Sequence, residues 1–514
     1  MSTLLVLPFA LPLLAAALSV LWRHHRQAQR TVSYAALLTT IVLGVRLIGA
    51  TRDGEAVATA IGAWPRGLSI VFAADGFAAL LLTTTASVSL LALAFAAARG
   101  EDRHPLFLPL ADVLLAGVFG ALLTADLFNL FVAYEIMLIA SYVLLALRGG
   151  RRQLRAGVIY VAVNLLASTA LLIGIGLLYG VTGTVNLAVL RGVAATDPAA
   201  TLAAGVVLVA VGVKASLVPM HGWLPRAYVE AGPAVTALFS GLLTKVGVAT
   251  LVRLTSVLFD GDPTWQPALL AVAAATMVVG VLGAIGRADI RGILAFHMVS
   301  QVGYLVLPLG LWTHAALTAG IVYLVQYIAV KGALFLAAGA VETLTGTGAL
   351  ARLGGMIHTR PMLALGFGLP ALALAGVPPT SGFVGKLLLI DAAFDAGHLL
   401  LGATAVAVSF FTLLSMVKIF NGVFWGETTE HVRHERTEGP LGLAVPAGVA
   451  RPTSSLLADK VEPRRAAQLI APSVLVGAAV VVVGLGAAGL IELAGEAADA
   501  LLDPTRYLEV VSAA

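Results

Sequence analysis

Apolar runs of about 18 to 25 residues, each long enough to cross a bilayer as a helix, recur about fourteen times along this chain. They begin near residues 3, 31, 76, 106, 127, 157, 200, 234, 265, 292, 314, 362, 399 and 468. No water-soluble fold hides so much apolar surface. Of the 514 residues, 59% are hydrophobic and 11% are charged, less than half the roughly 25% charged residues of soluble domains. The expected fold class is therefore an all-α polytopic membrane protein with about fourteen transmembrane helices. No cation precedes the first run, and Arg23-His24-His25-Arg26 follows it, so it reads as a retained helix rather than a cleaved leader.

Loop charges orient the spans, because basic connections stay cytoplasmic. Basic segments lie at residues 23–30, 148–155, 287–291, 352–360 and 426–465, and acidic or neutral ones at 124–126, 260–262 and 391–395. This alternation places both termini outside. Residues 426–467 form the one long polar insertion and read as a solvated cytoplasmic linker; His431 and His434 lack the His-Glu-x-x-His spacing of a zinc protease. The expected organisation is residues 1–105 as three N-terminal spans, 106–258 and 265–425 as two repeats, 426–467 as the linker, and 468–514 as a last span and tail.

Several functions are excluded early. There is no cysteine, so this chain holds no iron–sulfur cluster and no covalent haem. The run from Gly382 to Lys386 has the wrong spacing for a phosphate loop and continues into Leu387. A net charge of +4 without a basic–aromatic stripe argues against nucleic acid. No catalytic residue, metal site or cofactor is expected, and energy must come from an ion gradient or a partner subunit.

The informative residues are charges where charge is expensive. Glu135, Lys214, Lys245, Lys331 and Lys386 fall inside the fifth, seventh, eighth, eleventh and twelfth spans. Each costs about 2.5–3.5 kcal/mol at mid-membrane, so five unpaired charges would cost roughly 12–18 kcal/mol, more than the 5–15 kcal/mol that holds a typical protein folded. They must be paired, hydrated or neutral. Fixed salt bridges and snorkelling explain a single lysine well, whereas five such groups in one chain point to an ion route. An apolar medium favours a neutral amine and a nearby carboxylate favours the ammonium, so Glu135 and Lys214 together would form a protonation switch. His297 shares a helix face with Ser300 and Gln301 and adds relay capacity. His221 and Asp112 are weaker candidates for the same polar path, and Lys418 sits where its ammonium can snorkel.

Prolines interrupt two spans beside these lysines, at Pro219 and Pro225 after Lys214 and at Pro378 and Pro379 before Lys386. Broken helices at membrane depth are tolerated only against protein or water. Paired breaks in two halves of a chain indicate an inverted repeat around a transport site. The seventh and twelfth spans are the expected broken helices, and spans 4–8 and 9–13 the expected inverted five-helix repeats.

At these residues the chain resembles the antiporter-like subunits shared by respiratory complex I and the Mrp-type cation/proton antiporters. The resemblance covers about residues 70–425. It rests on KASLVPMHGWLPRAYVEAGPAVTALFSGLLTKVG from Lys214, DLFNLFVAYEIMLIASY around Glu135, RADIRGILAFHMVSQVGY from Arg287 and LAGVPPTSGFVGK ending at Lys386. The wording is most similar to the D-type subunits of the Mrp branch. Arg226 follows Trp-Leu-Pro where complex I chains often carry Asp, and Lys386 stands where one complex I subunit has a glutamate. The resemblance implies that Glu135 and Lys214 are a coupling pair, Lys245 a central proton carrier, Lys331 and His297 the link along a mid-membrane axis, and Lys386 its terminal site. It also implies a bacterial cell membrane, other Mrp subunits as partners, and sodium as the exchanged cation, although no cage of converging carboxylates suits sodium here. Two competing readings are a proton-pumping subunit of a complex I-like redox enzyme and a subunit whose charges merely lock helices together.

Overall fold

The computed structural model describes residues 2–62, 69–426 and 462–514. Most of the expected linker, with His431 and His434, lies outside the described residues. In chain order the helices are α1 Leu7–Leu21, α2 Arg26–Ala50, α3 Gly76–Arg99, α4 Phe107–Leu123, α5 Leu127–Ala146 and α6 Arg151–Thr182. After the short α7 Val193–Thr196 come α8 Pro198–Ala215, α9 Trp223–Ala227, α10 Pro233–Val257, α11 Gln266–Ile285, α12 Ile290–Leu311 and α13 His314–Thr345. The short α14 Met356–Thr359 leads to α15 Pro361–Ala375, α16 Ser381–Asp395 and α17 Leu399–Phe420, and the chain ends with α18 Pro463–Leu485, α19 Ala487–Leu502 and α20 Thr505–Ala513. Among the described residues, 12 helices are long and apolar enough to cross a membrane, and Phe107–Leu123 and Pro361–Ala375 are shorter apolar helices.

Local chemistry sets the helix ends. The Asp75, Asp126 and Asp289 carboxylates accept from the backbone N–H groups of Ala78, Asn129 and Gly292 at 2.9, 2.6 and 2.7 Å, satisfying donors that a first turn leaves orphaned. Gly183 and Gly346 close α6 and α13 with φ of 70° and 78°, a left-handed conformation that glycine adopts without a Cβ penalty. Several helices start earlier than their apolar windows, because basic first turns such as Arg151 and Arg152 join the helix.

The breaks fall where the prolines place them. α8 ends at Ala215, Ser216 takes a φ of 66°, and the chain resumes helically at Met220. α15 ends at Ala375 and α16 begins at Ser381. Both breaks contain a cis prolyl bond, Val218–Pro219 and Pro378–Pro379. Lys214 stands in the last turn before the first break, and Lys386 in the second turn after the other.

The core is built on three helices. The most apolar window of α10 is buried at every residue, and those of α12 and α13 at 94% and 89% of residues, whereas α6 and α11 turn outer faces to the surroundings. Lys245, His297 and Lys331 thus sit on the three most enclosed helices, where few side chains face lipid.

Hydrogen bonds around α5–α6 recur around α12–α13. Leu127 N–H donates to Val185 O at 2.9 Å and Leu187 N–H to Ala125 O at 3.0 Å; in the same register Ile290 N–H donates to Gly348 O at 3.0 Å and Leu350 N–H to Ala288 O at 3.1 Å. The Thr182 hydroxyl donates to Leu178 O and Thr184 O, as the Thr345 hydroxyl does to Val341 O and Thr347 O.

The fold is nearly all-helical, as expected, with two details added. Val57–Ile61 pairs antiparallel with Ile70–Ala74; these strands are short, and neither alternates polar with apolar residues. The expected tail is instead α19 and α20, and α18 begins at Pro463 rather than 468. Its basic first turn is docked, with the Arg465 guanidinium donating to Ala98 O and Arg99 O at 3.0 and 2.8 Å.

Candidate functional site

Glu135, Ser168 and Lys214 meet where α5, α6 and α8 pack. The Lys214 ammonium donates to the Ser168 hydroxyl at 2.8 Å, and that hydroxyl donates to the Glu135 carboxylate. A serine therefore stands between carboxylate and ammonium, able to accept from one and donate to the other. The Lys214 ammonium also lies 5.0 Å from the centre of the Tyr134 ring, within cation–π range. Lys214 is buried, while Glu135 is half-buried. The Tyr134 hydroxyl pairs with the Thr250 hydroxyl of α10 at 3.0 Å.

Lys245 and Lys331 share one aromatic ring. The Lys245 ammonium lies 4.3 Å from the centre of the Tyr327 ring and the Lys331 ammonium 5.9 Å from it. Lys245 donates to Ser240 O and to the Thr244 hydroxyl, the latter at 3.2 Å. Lys331 donates across to Leu294 O on α12 at 2.9 Å, one turn before His297. Both His297 ring nitrogens are buried without a hydrogen-bond partner. Orphaned polar atoms cost about 1–3 kcal/mol each, so such an imidazole is suited to changing partners.

The row then runs past three neighbouring tyrosines, of which Tyr323 and Tyr327 are stacked and Tyr304 and Tyr323 tilted. Tyr327 lies 5.9 Å from Tyr323, Tyr323 lies 5.8 Å from Tyr304, and the Lys386 ammonium lies 4.6 Å from the centre of the Tyr304 ring. Lys386 donates to the Ser409 hydroxyl at 3.2 Å, and Ser409 donates to Ala375 O at the second break. Gln301 accepts from the Tyr323 hydroxyl. Among the described residues no carboxylate forms an ion pair with Lys245, Lys331 or Lys386. Carbonyls, hydroxyls and ring faces hold these amines, so a proton can arrive and leave without an ion pair being separated.

The remaining candidates lie at varying distances from this row. Ser300 donates to Met277 O at 2.9 Å, tying α12 to α11. His221 is half-buried in the first break, with Nδ1 unpartnered. Asp112 is buried on α4 and accepts from Ser33 of α2 at 2.7 Å. Lys418 donates to Ile285 O and Arg287 O at 3.0 and 2.6 Å. Sequence reasoning missed Ser168, Thr250 and the tyrosines 134, 304, 323 and 327. A signal for two of them existed: in the register that matches Asp126 to Asp289, Tyr134 answers to His297 and Ser168 to Lys331. Among the described residues no three His, Asp or Glu side chains converge as a metal site.

Comparison with known proteins places the whole chain. Residues 124–412 match the family model described as NADH:quinone oxidoreductase/Mrp antiporter, transmembrane. The chain is similar to the D-type Na(+)/H(+) antiporter subunit of Alkalihalophilus pseudofirmus, 37% identical over 99% of both chains, and to that of Bacillus subtilis, 34% identical over 99% of both. A chain in the structure of the Mrp complex from Dietzia sp. superposes with a TM-score of 0.91 at 43% identity, covering 99% of each chain. With a family model matching more than half of its length and full-length relatives that carry antiporter names, this multi-pass helical chain belongs to the NADH:quinone oxidoreductase/Mrp antiporter family of membrane proteins.

Proposed function

We propose that this chain is the proton-translocating subunit of a multisubunit Na+/H+ antiporter in a bacterial cell membrane, working with other Mrp-type subunits. The observation that carries the reading is the Glu135–Ser168–Lys214 hydrogen-bonded chain together with the buried amines of Lys245 and Lys331 on two of the most enclosed helices. Protons enter the row at the Glu135 switch, pass Lys245, Lys331 and His297, and leave through Lys386. One charge crossing 100 mV releases about 2.3 kcal/mol, which inward proton flow supplies to sodium extrusion by the assembly. The relatives of full length carry antiporter names, which favours this reading over a redox-driven pump.

The same reading takes residues 106–258 and 265–425 as inverted repeats of five spans each. The recurring hydrogen bonds of α5–α6 and α12–α13, the two matched breaks, and an odd number of crossings per unit support it. The loop charges favour both termini outside, with the Asp126, Asp260 and C-terminal segments on the external face.

The test uses the intact complex in membrane vesicles. Glu135→Ala and Lys214→Ala are each expected to abolish sodium-dependent proton exchange while the complex assembles on native gels. Full exchange in both variants would refute the proposal.

A further inference from the structure

α15 breaks off at Ala375, and along its length it does not close fully on α17. It turns Pro361, Leu365, Gly368 and Leu372, one stripe at three- and four-residue spacing, toward a groove with about 530 Å³ of free volume. Leu413, Val417 and Phe420 of α17 form the opposite wall. Leu365, Leu372 and Val417 are exposed, so the groove opens sideways to the apolar surroundings. Every lining residue is apolar, and the Trp425 indole N–H is the only side-chain donor along it among the described residues.

Length and ends select the occupant. From Pro361 to Leu372 the helix rises about 16 Å, close to half of the roughly 30 Å hydrocarbon core. One turn further in the two helices are tied together, where the Ser409 hydroxyl of α17 donates to Ala375 O at 2.6 Å. A spanning helix needs the full thickness, whereas a lipid tail of one leaflet needs half. The outer end is cationic. Ile357 and Pro361 line it, His358 is exposed and Arg360 half-buried between them, and no Asp or Glu occurs between Glu342 and Asp391. The first turn of α15 holds no acid, so its backbone N–H groups add to the positive field. α14 packs against the Asn421–Trp425 turn at this end, and the exposed Trp425 suits a headgroup boundary.

We propose that the groove between α15 and α17 is a binding site for an anionic phospholipid of the leaflet on the 352–360 side, with one acyl chain in the groove and the phosphate held by Arg360, His358 and the α15 N-terminus. The site lies outside the lysine row and is independent of the proton-carrying reading.

Photocrosslinking in native membranes tests it. With benzoylphenylalanine in place of Val417 in the intact complex, irradiation is expected to capture phospholipid, with phosphatidylglycerol and cardiolipin together enriched at least fivefold over their share of the extracted membrane lipid. Arg360→Gln combined with His358→Gln should bring that ratio to within about twofold of the bulk while lipid capture persists. Leu365→Trp, which fills the groove from an exposed position, should cut phospholipid capture at least fivefold in complex assembled on native gels. A captured peptide, from a partner subunit or from residues 427–461, overturns the proposal, as does lipid captured in bulk proportions or not at all. Enrichment that survives the double substitution, or capture that survives Leu365→Trp, overturns it equally.

Discussion

A serine between a carboxylate and an ammonium keeps the two charges apart and, in the proposed route, is the hydroxyl through which a proton passes. Without the Ser168 hydroxyl, Lys214 and Glu135 are free to close into a direct pair, and separating a buried pair is strongly unfavourable. Ser168→Ala is therefore expected to slow exchange at least tenfold, about 1.4 kcal/mol in barrier, and Ser168→Thr to recover most of it. Vesicle exchange rates normalised to assembled complex on native gels measure this, and an unchanged rate in Ser168→Ala would remove the serine from the path. The lysines were legible in the sequence because a charge within an apolar run has few explanations. Ser168 and the tyrosines were not, because serine and tyrosine are common in membrane helices for packing alone. Only the contacts single them out: a ring shared by Lys245 and Lys331, and a hydroxyl bonded at once to Glu135 and Lys214.

At the scale of helices, position depends on close approach as much as on charge. A Cβ added at Gly303 of α12 would stand 2.6 Å from Ala273 O and 2.7 Å from Met277 N, backbone atoms of α11 that have no rotamer to give. Overpacking of this kind costs about 1–3 kcal/mol or more. Gly303→Leu should thus lower the melting temperature and yield of the complex, whereas Gly176→Leu, exposed on α6 with nothing within 4 Å of the added atom, should change neither; thermal unfolding of the purified complex compares them. Spans and breaks were readable because length, hydropathy and proline act locally. α19 was readable in principle: Glu492, Glu496 and Asp499 fall on one face at helical spacing, and Ala494, Ala497, Ala498 and Leu501 are buried on the other. Its moderate apolarity resembles a tail until Arg52 is seen bound to Glu492 and Glu496. The strand pair escaped for a different reason, since each strand becomes recognisable only through its partner.

Across the whole molecule the row crosses from one proposed repeat to the other at a single ring. Lys214 and Lys245 belong to residues 106–258, Lys331 and Lys386 to residues 265–425, and Tyr327 lies against Lys245 from one and Lys331 from the other. In a desolvated site a cation–π contact is worth about 2 kcal/mol, roughly thirtyfold in an equilibrium, so in the proposed route the ring would help hold a proton on either amine at the junction. Its hydroxyl plays a lesser part, bonded to Met298 O at 3.3 Å. Tyr327→Phe keeps the face and loses only that bond, and should exchange within about threefold of the unaltered complex. Tyr327→Leu keeps an apolar side chain but removes the π-face and leaves a cavity, so it should slow exchange at least tenfold when compared at equal assembly, with Glu135, Ser168 and Lys214 undisturbed. Equal loss in both variants would instead assign the crossing to the hydroxyl, and no loss in either would place the passage between the halves elsewhere than this ring.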